Sequence, residues 1–324
     1  MGKIFCPSCG DSIGENESLT SYTSSFNNQN YKLYHCLKCD LRWWEPLKVL
    51  PEFYEEEGNE GYVIFHQGLR ERISYFHIPF FKHIPLREGR LLDIGCGDGV
   101  FLKEARKLGF EVWGIDFDRK SIKIAKEKFG LENVFSMSLE EFVEFCKREN
   151  LRFDIITFFE VPEHQDNPKE FLHQVKSILK PGGYIAGSVP NSEAIKGLLY
   201  YSPVNLPPHH FLWFTKRALV NLFNTCFEID KIEIYNVKLS SFIKNLNELS
   251  AYISFSLGRK AFLSLREDLK KATIGKSYYT SSSSRKLMFK LLKGVRNGIF
   301  MPLALIVYPF LKGFHFYFQF QVKS

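Results

Sequence analysis

Short apolar runs alternate with amphipathic stretches of nine to twelve residues from residue 90 onward. The apolar runs predict buried strands and the amphipathic stretches predict helices, since each stretch has one apolar face at helical spacing. Predicted strands cover 91–94, 111–115, 134–135, 154–159, 184–189 and 229–237, and predicted helices cover 100–108, 119–129, 139–148, 168–179 and 215–226. Strands that alternate with helices in this way predict an α/β fold with a parallel, doubly wound sheet.

The rest of the chain follows other patterns. Residues 313–322 alternate strictly, with phenylalanines and a valine at every second position, which predicts one more strand. The segment before this strand is helical in pattern, basic and rich in serine near its middle. The sequence therefore divides into a small N-terminal module at 1–45, a partly helical segment at 46–89, the α/β domain at 90–240, a helical insertion at 241–312 and a final strand at 313–324.

The N-terminal module contains two Cys-x-x-Cys pairs, Cys6/Cys9 and Cys36/Cys39, separated by 26 residues. Paired thiols at this spacing predict a metal site, and four thiolates favour tetrahedral structural zinc, as in a zinc ribbon. The start of the chain has no apolar signal core, so we expect a cytoplasmic protein. Residues 1–45 have only four basic residues against five acids, which argues against nucleic-acid binding. We expect the ribbon to stabilise or cover the main domain.

The positive charge of the chain is concentrated in the insertion. Residues 259–312 contain twelve Lys and Arg against two acids, a local balance of +10 in a chain of net charge +7. An uncharged run of 13 residues, 299–311, follows the basic stretch and is too short to span a bilayer comfortably. This combination predicts peripheral contact with an anionic membrane surface. The alternative is a helical lid whose apolar face packs on the α/β domain.

A glycine-rich loop links the first predicted strand to the first helix. Its pattern, Asp93-x-Gly95-x-Gly97-x-Gly99, lets the backbone turn tightly and approach a ligand closely. A dinucleotide fingerprint would need a further glycine at position 100, which is Val100. Asp116 ends the second strand 21 residues after Gly95, where a carboxylate can accept hydrogen bonds from ribose hydroxyls. The loop therefore predicts a nucleoside-type ligand that lacks a pyrophosphate.

Four segments of this domain resemble motifs of class I S-adenosylmethionine-dependent methyltransferases. They are the glycine loop, the acid after the second strand, the fourth strand with the residues after it, and the turn before the fifth strand, at 91–102, 114–116, 153–164 and 179–184. The resemblance covers about residues 90–237 and the final strand. It implies a Rossmann-like sheet of seven strands, with the last strand antiparallel and 241–312 inserted before it.

The resemblance also implies which residues contact S-adenosylmethionine. The methionine part would lie against the glycine loop, the ribose against the acid after the second strand, and the adenine against residues after the second and third strands. In that order the residues are Asp93, Gly95, Gly97, Asp116, Phe117, Ser138 and Leu139. Many relatives have an acidic residue at the position of Ser138.

Candidate acid–base residues follow the fourth and fifth strands. Glu160 and His164 come after the fourth strand, and His209 and His210 lie in a proline-stiffened loop after the fifth. Transfer of a methyl group from a sulfonium mainly requires proximity and orientation, but a hydroxyl or acidic carbon acceptor also needs a base. We therefore expect these four residues to be catalytic. The alternative is that the histidines have local structural roles.

Two interpretations of this cluster remain open. Glu160-x-x-Glu163-His164 with a later histidine resembles the metal site of small-RNA 2′-O-methyltransferases, and carboxylates with imidazoles hold divalent ions. The Glu-His pair is also similar to metal-free methyltransferases of the ubiquinone/menaquinone type. We expect the second, with O- or C-methylation of a small-molecule, glycan or lipid-linked acceptor and no added metal. A non-catalytic adaptor is the remaining alternative, and the intact cofactor motifs argue against it.

Overall fold

The computed structural model describes residues 2–24, 26–50, 70–193, 205–237 and 315–323, and most of these lie in alternating strands and helices. Within those ranges the strands are β1 (Lys3–Phe5), β2 (Ser12–Gly14), β3 (Thr20–Thr23), β4 (Asn30–His35), β5 (Arg42–Glu45), β6 (Gly89–Ile94), β7 (Phe110–Asp116), β8 (Val134–Ser136), β9 (Phe153–Phe159), β10 (Leu179–Pro190), β11 (Leu212–Trp213), β12 (Ile229–Val237) and β13 (His315–Val322). The helices in the same ranges are α1 (Ile78–His83), α2 (Val100–Lys107), α3 (Arg119–Phe129), α4 (Leu139–Arg148), α5 (Pro168–Ile178) and α6 (Lys216–Asn224).

Seven of the described strands form one sheet, in the order β8-β7-β6-β9-β10-β13-β12. Neighbouring strands from β8 to β10 are parallel, whereas β13 runs antiparallel to both β10 and β12. This arrangement confirms the expected Rossmann-like α/β sheet with an antiparallel last strand. The predicted insertion, including the basic segment 259–312, lies outside the described residues.

The helices begin where the sequence provides a side chain for the exposed backbone amides. Asp118 accepts hydrogen bonds from two amides at the start of α3, and Ser138 forms a reciprocal capping box at the start of α4. Asn167 caps α5 and Thr215 caps α6. Gly130 ends α3 in the left-handed conformation that favours glycine. These local signals explain why predicted and observed helices agree closely in this domain.

The last strand is more buried than its alternating pattern suggests. Period-two alternation is typical of a strand with one solvated face, but five consecutive residues of β13, on both of its faces, are buried. Phe318 and Phe320 pack against Phe223 of α6, with ring centroids 5.3 and 4.2 Å apart. On the other face, Tyr317 lies near His83 of α1. Both faces are buried because β13 is an interior strand of a sheet with helices packed on each side.

β10 also differs from the prediction. The sequence predicts a turn at 181–183 before the strand, but strand pairing already begins at Leu179, opposite Phe153. The register shifts between Leu179 and Tyr184, and Gly182 has a φ of 71°. The glycine turn is therefore present as an irregularity inside a longer strand.

A second sheet combines the predicted ribbon with a distant part of the chain. β1 and β2 form a hairpin, and four strands pair in the order β3-β4-β5-β11. β11 comes from the loop after β10, and Leu212 pairs with Trp43. Trp44 and Trp213 pack edge to face, with ring centroids 5.6 Å apart. The N-terminal residues therefore share a sheet with the loop that contains His209 and His210, an arrangement that the sequence analysis does not predict.

Candidate cofactor and acceptor site

The glycine loop follows the carboxyl end of β6. Gly95, Gly97 and Gly99 have φ angles of 75°, 53° and 77°, in the left-handed region that favours glycine. A Cβ atom on Gly95 would lie 2.7 Å from Val161, in the segment after β9. The glycine therefore permits close contact between the loop and the residues that follow the fourth strand of the domain.

Asp116 binds this loop directly. One carboxylate oxygen accepts a hydrogen bond from the Gly97 amide at 2.8 Å, and the other accepts one from the Asp118 amide at 2.9 Å. Burial raises the pKa of Asp116, and these two hydrogen bonds act in the opposite direction. The acid and the glycine loop that the sequence assigns to one ligand are thus in contact with each other.

The residues expected around the adenine lie beside Asp116. Phe117 leaves 77% of its surface exposed, and its carbonyl accepts a hydrogen bond from Ser136 at the end of β8. Ser138 uses its hydroxyl to cap α4, since it accepts from the Glu141 amide and donates to the Glu141 carboxylate. Leu139 is half-buried. The exposed ring of Phe117 is therefore available to a planar ligand, whereas the Ser138 hydroxyl is already engaged.

Carboxyl groups are concentrated at the glycine loop. Asp93 is buried and accepts a hydrogen bond from Thr157 at 2.7 Å. Burial, together with the charge of Asp116, raises the pKa of Asp93 to about 8. Arg70 lies 3.7 Å from a carboxylate oxygen of the buried Asp98. Three carboxyl groups in a site of low polarity favour a cationic ligand. Arg70 lies in the segment 46–89 and belongs to no motif, so nothing in the sequence marks it as a site residue.

The three candidate histidines lie together after β9. His164 ends a single 3₁₀ turn, Pro162–His164, and its Nδ1 donates to the His209 carbonyl at 2.5 Å. The His164 ring lies 4.8 Å from each of the other two rings, and the rings of His209 and His210 stack at 4.3 Å. One ring nitrogen from each histidine falls within 4.8 Å of the others. The fold therefore gathers three imidazoles from two loops.

Glu163 faces this cluster from the same 3₁₀ turn. Its side chain is fully buried, and neither carboxylate oxygen has a hydrogen-bond partner among the described residues. Its Oε1 lies 3.9 Å from Nε2 of His164 and 3.9 Å from Nε2 of His210. Burial raises the pKa of Glu163, lowers that of His210 and lowers that of His164 to about 3. His164 and His210 are therefore neutral at physiological pH.

Glu160 belongs to a separate network. It has a φ of 57°, which is rare for a residue other than glycine and is frequent at functional sites. Its carboxylate accepts a hydrogen bond from Ser188 at 2.6 Å and lies 3.0 Å from Nε2 of His315. Tyr75 lies 2.6 Å from the other ring nitrogen of His315. In the sequence His315 is only part of a predicted strand and Tyr75 belongs to no motif, and nothing local links two residues that are 240 positions apart.

The four N-terminal cysteines converge in two matching turns. The sulfur atoms of Cys6 and Cys39 are 3.5 Å apart, as are those of Cys9 and Cys36. Four thiolates around zinc at about 2.3 Å would be roughly 3.8 Å apart, whereas a disulfide would need about 2.0 Å. The hydrogen bond from the Cys6 thiol lowers the pKa of Cys39 to about 5. The donor set and its spacing thus fit tetrahedral zinc.

Hydrogen bonds join the cysteine turns to the histidine loop. The Trp44 amide donates to the Phe211 carbonyl at 3.1 Å, and the Phe211 amide donates to the Glu163 carbonyl at 2.9 Å. The Thr215 hydroxyl donates to Asp40 at 2.8 Å. The ribbon is therefore joined to the 3₁₀ turn after β9 by direct hydrogen bonds through Phe211.

Comparisons with known proteins agree with this architecture. Residues 66–226 match a family described as a methyltransferase domain. The ubiquinone biosynthesis O-methyltransferase of Paraburkholderia phymatum is 29% identical over 161 residues, which cover 49% of this chain and 62% of the relative. The mitochondrial ubiquinone biosynthesis O-methyltransferase of Dictyostelium discoideum is 34% identical over 152 residues, which cover 41% of this chain and 47% of the relative.

A solved structure shows the same fold. Phosphoethanolamine N-methyltransferase 2 of Haemonchus contortus, in complex with S-adenosylmethionine, superposes with a TM-score of 0.52 at 16% identity. The match covers 96% of this chain and 72% of that protein. The chain spans less than two thirds of the length of the curated relatives described above. The order of the sheet, the glycine loop with its acid and the family match over residues 66–226 together identify a methyltransferase domain of the class I S-adenosylmethionine-dependent type.

Proposed function

We propose that the protein transfers the methyl group of S-adenosylmethionine to an acidic hydroxyl of a small-molecule or lipid-linked acceptor. The observation that carries this proposal is the contact between Gly95 and Val161, which brings the cofactor loop against the segment bearing Glu160 and Glu163. Methyl transfer requires donor and acceptor to meet in line, and this contact brings the two halves of the site together. The names of the curated relatives support an oxygen acceptor.

The proposed cofactor contacts follow from the charges and the exposed ring. The sulfonium and ammonium groups of S-adenosylmethionine would lie near Asp93, Gly95 and Gly97, where carboxyl groups concentrate. Asp116 would accept hydrogen bonds from the ribose while retaining its bond from Gly97. Phe117 would stack on the adenine, with Leu139 at the edge; the engaged hydroxyl of Ser138 favours a backbone contact at that position.

We assign proton removal to the pair Glu160 and His315. Their side chains remain 20% and 18% exposed, so an acceptor can reach them, whereas Glu163 is fully buried. With Tyr75 donating to Nδ1 of His315 and Nε2–H facing Glu160, the network holds the carboxylate in one orientation. His164 is a weak base because burial lowers its pKa to about 3. Of the four residues expected to be catalytic, only Glu160 keeps that role in this proposal. His164, His209 and His210 are not assigned to proton removal.

The Cys6, Cys9, Cys36 and Cys39 cluster is proposed to hold one structural zinc ion. Zinc bound to four thiolates has no open position, so its contribution would be to the fold. It would fix the two cysteine turns and, through β5 and β11, the loop that bears His209 and His210. The ribbon would thereby support the acceptor side of the site.

A labelled-methyl assay tests the proposed reaction. The full-length protein is incubated with methyl-labelled S-adenosylmethionine and a panel of isoprenoid phenols, with small RNA as a comparison. Transfer to a phenol that falls at least tenfold in Glu160→Gln would support the proposal. Transfer to RNA alone, or no transfer to any acceptor by protein shown to bind the cofactor, would contradict it.

A further inference from the structure

We propose that Glu163, His164, His209 and His210 bind a divalent first-row transition-metal ion, at a second metal site distinct from the four cysteines. Three imidazole nitrogens lie within 4.8 Å of one another. Glu163 Oε1 lies 3.9 Å from Nε2 of both His164 and His210. Ligands at about 2.1 Å from a shared ion are roughly 3–4 Å from one another, so movements of less than an ångström would bring these atoms into coordination.

The state of Glu163 is the second observation. A carboxyl group that is fully buried, with neither oxygen hydrogen-bonded among the described residues, is unfavourable whether it is ionised or neutral. The nearest ring nitrogens, Nε2 of His164 and Nε2 of His210, lie 3.9 Å from Oε1, beyond hydrogen-bond distance. Neutral imidazoles are the form that binds metals. A bound cation would supply the charge partner that the carboxylate lacks.

The orientation of His164 also fits a ligand. Metal-bound histidines commonly donate their second ring N–H to a carbonyl or carboxylate, which fixes the ring and its tautomer. His164 donates from Nδ1 to the His209 carbonyl, and its Nε2 faces Glu163. The Phe211 amide holds the Glu163 carbonyl, so the two ligand-bearing loops are fixed to each other before any ion binds.

The donor set indicates the class of metal. Three imidazoles with one carboxylate suit zinc, iron, cobalt or nickel, whereas magnesium and calcium prefer oxygen ligands. Glu160 lies outside this set because it binds Ser188 and His315. The site thus differs from the Glu160, Glu163 and His164 site considered from the sequence. It also departs from the expectation that the protein needs no metal beyond the zinc of the cysteine turns.

The inferred ion would also affect the proposed reaction. A transition metal with an open coordination position can bind a hydroxyl oxygen and lower its pKa. This consequence rests on the proposed function, whereas the metal site itself rests on Glu163 and the three histidines. Binding and methyl transfer are therefore measured separately.

Cobalt titration of the full-length protein tests the inference. The protein is treated with a chelator and titrated with Co²⁺, with metal content measured by mass spectrometry. Cobalt in the cysteine site shows intense thiolate charge-transfer absorption, whereas cobalt bound by imidazole and carboxylate shows only weaker visible bands. We expect two equivalents per chain, one with each signature.

Two matched carboxylate variants identify the ligands. Glu163→Gln should weaken binding of the second equivalent by about a hundredfold, as expected for loss of a metal ligand. Glu160→Gln, three residues earlier, should leave it within about threefold of wild type. Both variants should keep the thiolate signal and bind S-adenosylmethionine, which shows that they are folded.

A single equivalent in the wild-type protein, or equal binding of the second equivalent by Glu163→Gln, would overturn the inference. Methyl transfer is then assayed with and without the second ion. Failure to methylate any acceptor with both sites filled would reject the proposed function and leave the metal site standing. Methylation by wild-type protein that binds only one metal equivalent would reject the second metal site and leave the proposed function standing.

Discussion

Single residues at the glycine loop carry more than one interaction, and this determines what their substitution would do. Asp116 already binds the Gly97 and Asp118 amides, so it shapes the loop as well as offering oxygen atoms to a ribose. Asp93 is buried beside it and shares a hydrogen bond with Thr157. The sequence motifs show only that both acids are present. The hydrogen bonds of Asp116 show that this acid also holds the glycine loop in place.

Asp116→Ala should weaken S-adenosylmethionine binding by about 1–3 kcal/mol, because ribose hydroxyls and the Gly97 amide would lose their acceptor. Calorimetric titration measures this loss. Ser138→Ala is the matched control: it should lower the free energy of unfolding by about 0.5–2 kcal/mol through loss of the α4 cap, with little change in cofactor affinity. Unchanged affinity in Asp116→Ala would remove the ribose assignment.

Asp93 should make stability depend on pH. Burial raises its pKa from 3.8 to about 8, so the folded protein holds this proton more tightly than the unfolded chain does. Its contribution to the free energy of unfolding should be full below about pH 4 and should decline as pH rises to about 8. Asp93→Asn keeps the neutral form, so the melting temperature of wild type should fall relative to that of the variant across this range. If the melting temperatures of wild type and Asp93→Asn change in parallel with pH, the raised pKa of Asp93 is rejected.

At the scale of elements, prediction succeeds where the signal is local. Apolar runs, caps such as Asp118 and Ser138, and stops such as Gly130 lie within or next to the elements they define. Each strand and helix predicted from 90 to 237 is present in the structure, although β10 begins five residues earlier than predicted. β11 has only two residues, and it becomes a strand because β5 lies beside it. Tyr75 meets His315 only after the sheet has formed. The contacts that build the acceptor site are likewise between residues far apart in the sequence, and local patterns do not predict them.

The cysteine turn at Asp40 shows how one element acts on another. Asp40 occupies a left-handed position, with a φ of 68°, equivalent to that of Gly10 in the first turn, at 73°. Glycine would suit this backbone better, but Asp40 accepts a hydrogen bond from Thr215 and lies 2.8 Å from Nε2 of His35. Asp40→Gly should therefore leave zinc content unchanged while lowering the free energy of unfolding by about 1–3 kcal/mol and reducing methyl transfer.

Gly10→Asn provides the matched control for this element. A side chain at Gly10 would meet nothing within 4 Å, and asparagine tolerates the left-handed region better than most residues. Zinc content and methyl transfer should both remain close to wild type. Loss of zinc in Asp40→Gly would mean that the carboxylate is needed for the turn itself, and the proposed link to the acceptor loop would then be unsupported.

At the scale of the whole molecule, the ribbon and the methyltransferase sheet should respond differently to metal removal. Cys36→Ser combined with Cys39→Ser should abolish the thiolate-bound zinc and disrupt methyl transfer, because β5 fixes the histidine loop through β11. Cofactor binding should change less than threefold, since Asp93 and Asp116 belong to the other sheet and Gly97 to the loop that follows it. Elemental analysis and calorimetry measure the two effects. A double variant that binds as many zinc equivalents as the wild type, or that loses cofactor binding and methyl transfer equally, would contradict this.

The basic segment 259–312 remains a sequence-based prediction about location. Among the described residues, no helix is long and apolar enough to cross a bilayer. The charge of +10 should bind anionic vesicles with about 1 kcal/mol per basic residue near the surface, and the apolar run 299–311 should make that binding partly resistant to salt. In flotation assays, charge reversal at Lys286, Lys290 and Lys293 should weaken association without affecting cofactor affinity. A protein that never floats would favour the packed-lid alternative.

The shared sheet also sets an order of events during synthesis. Trp43 in β5 pairs with Leu212, 169 positions later, so the ribbon sheet cannot acquire its last strand until most of the chain has left the ribosome. Until then, β5 is an unprotected edge bearing two tryptophans, the kind of surface on which nascent chains aggregate. Early zinc capture would hold β4 and β5 in register during that interval. Zinc starvation should therefore reduce the yield of folded protein during translation more than it destabilises molecules already complete.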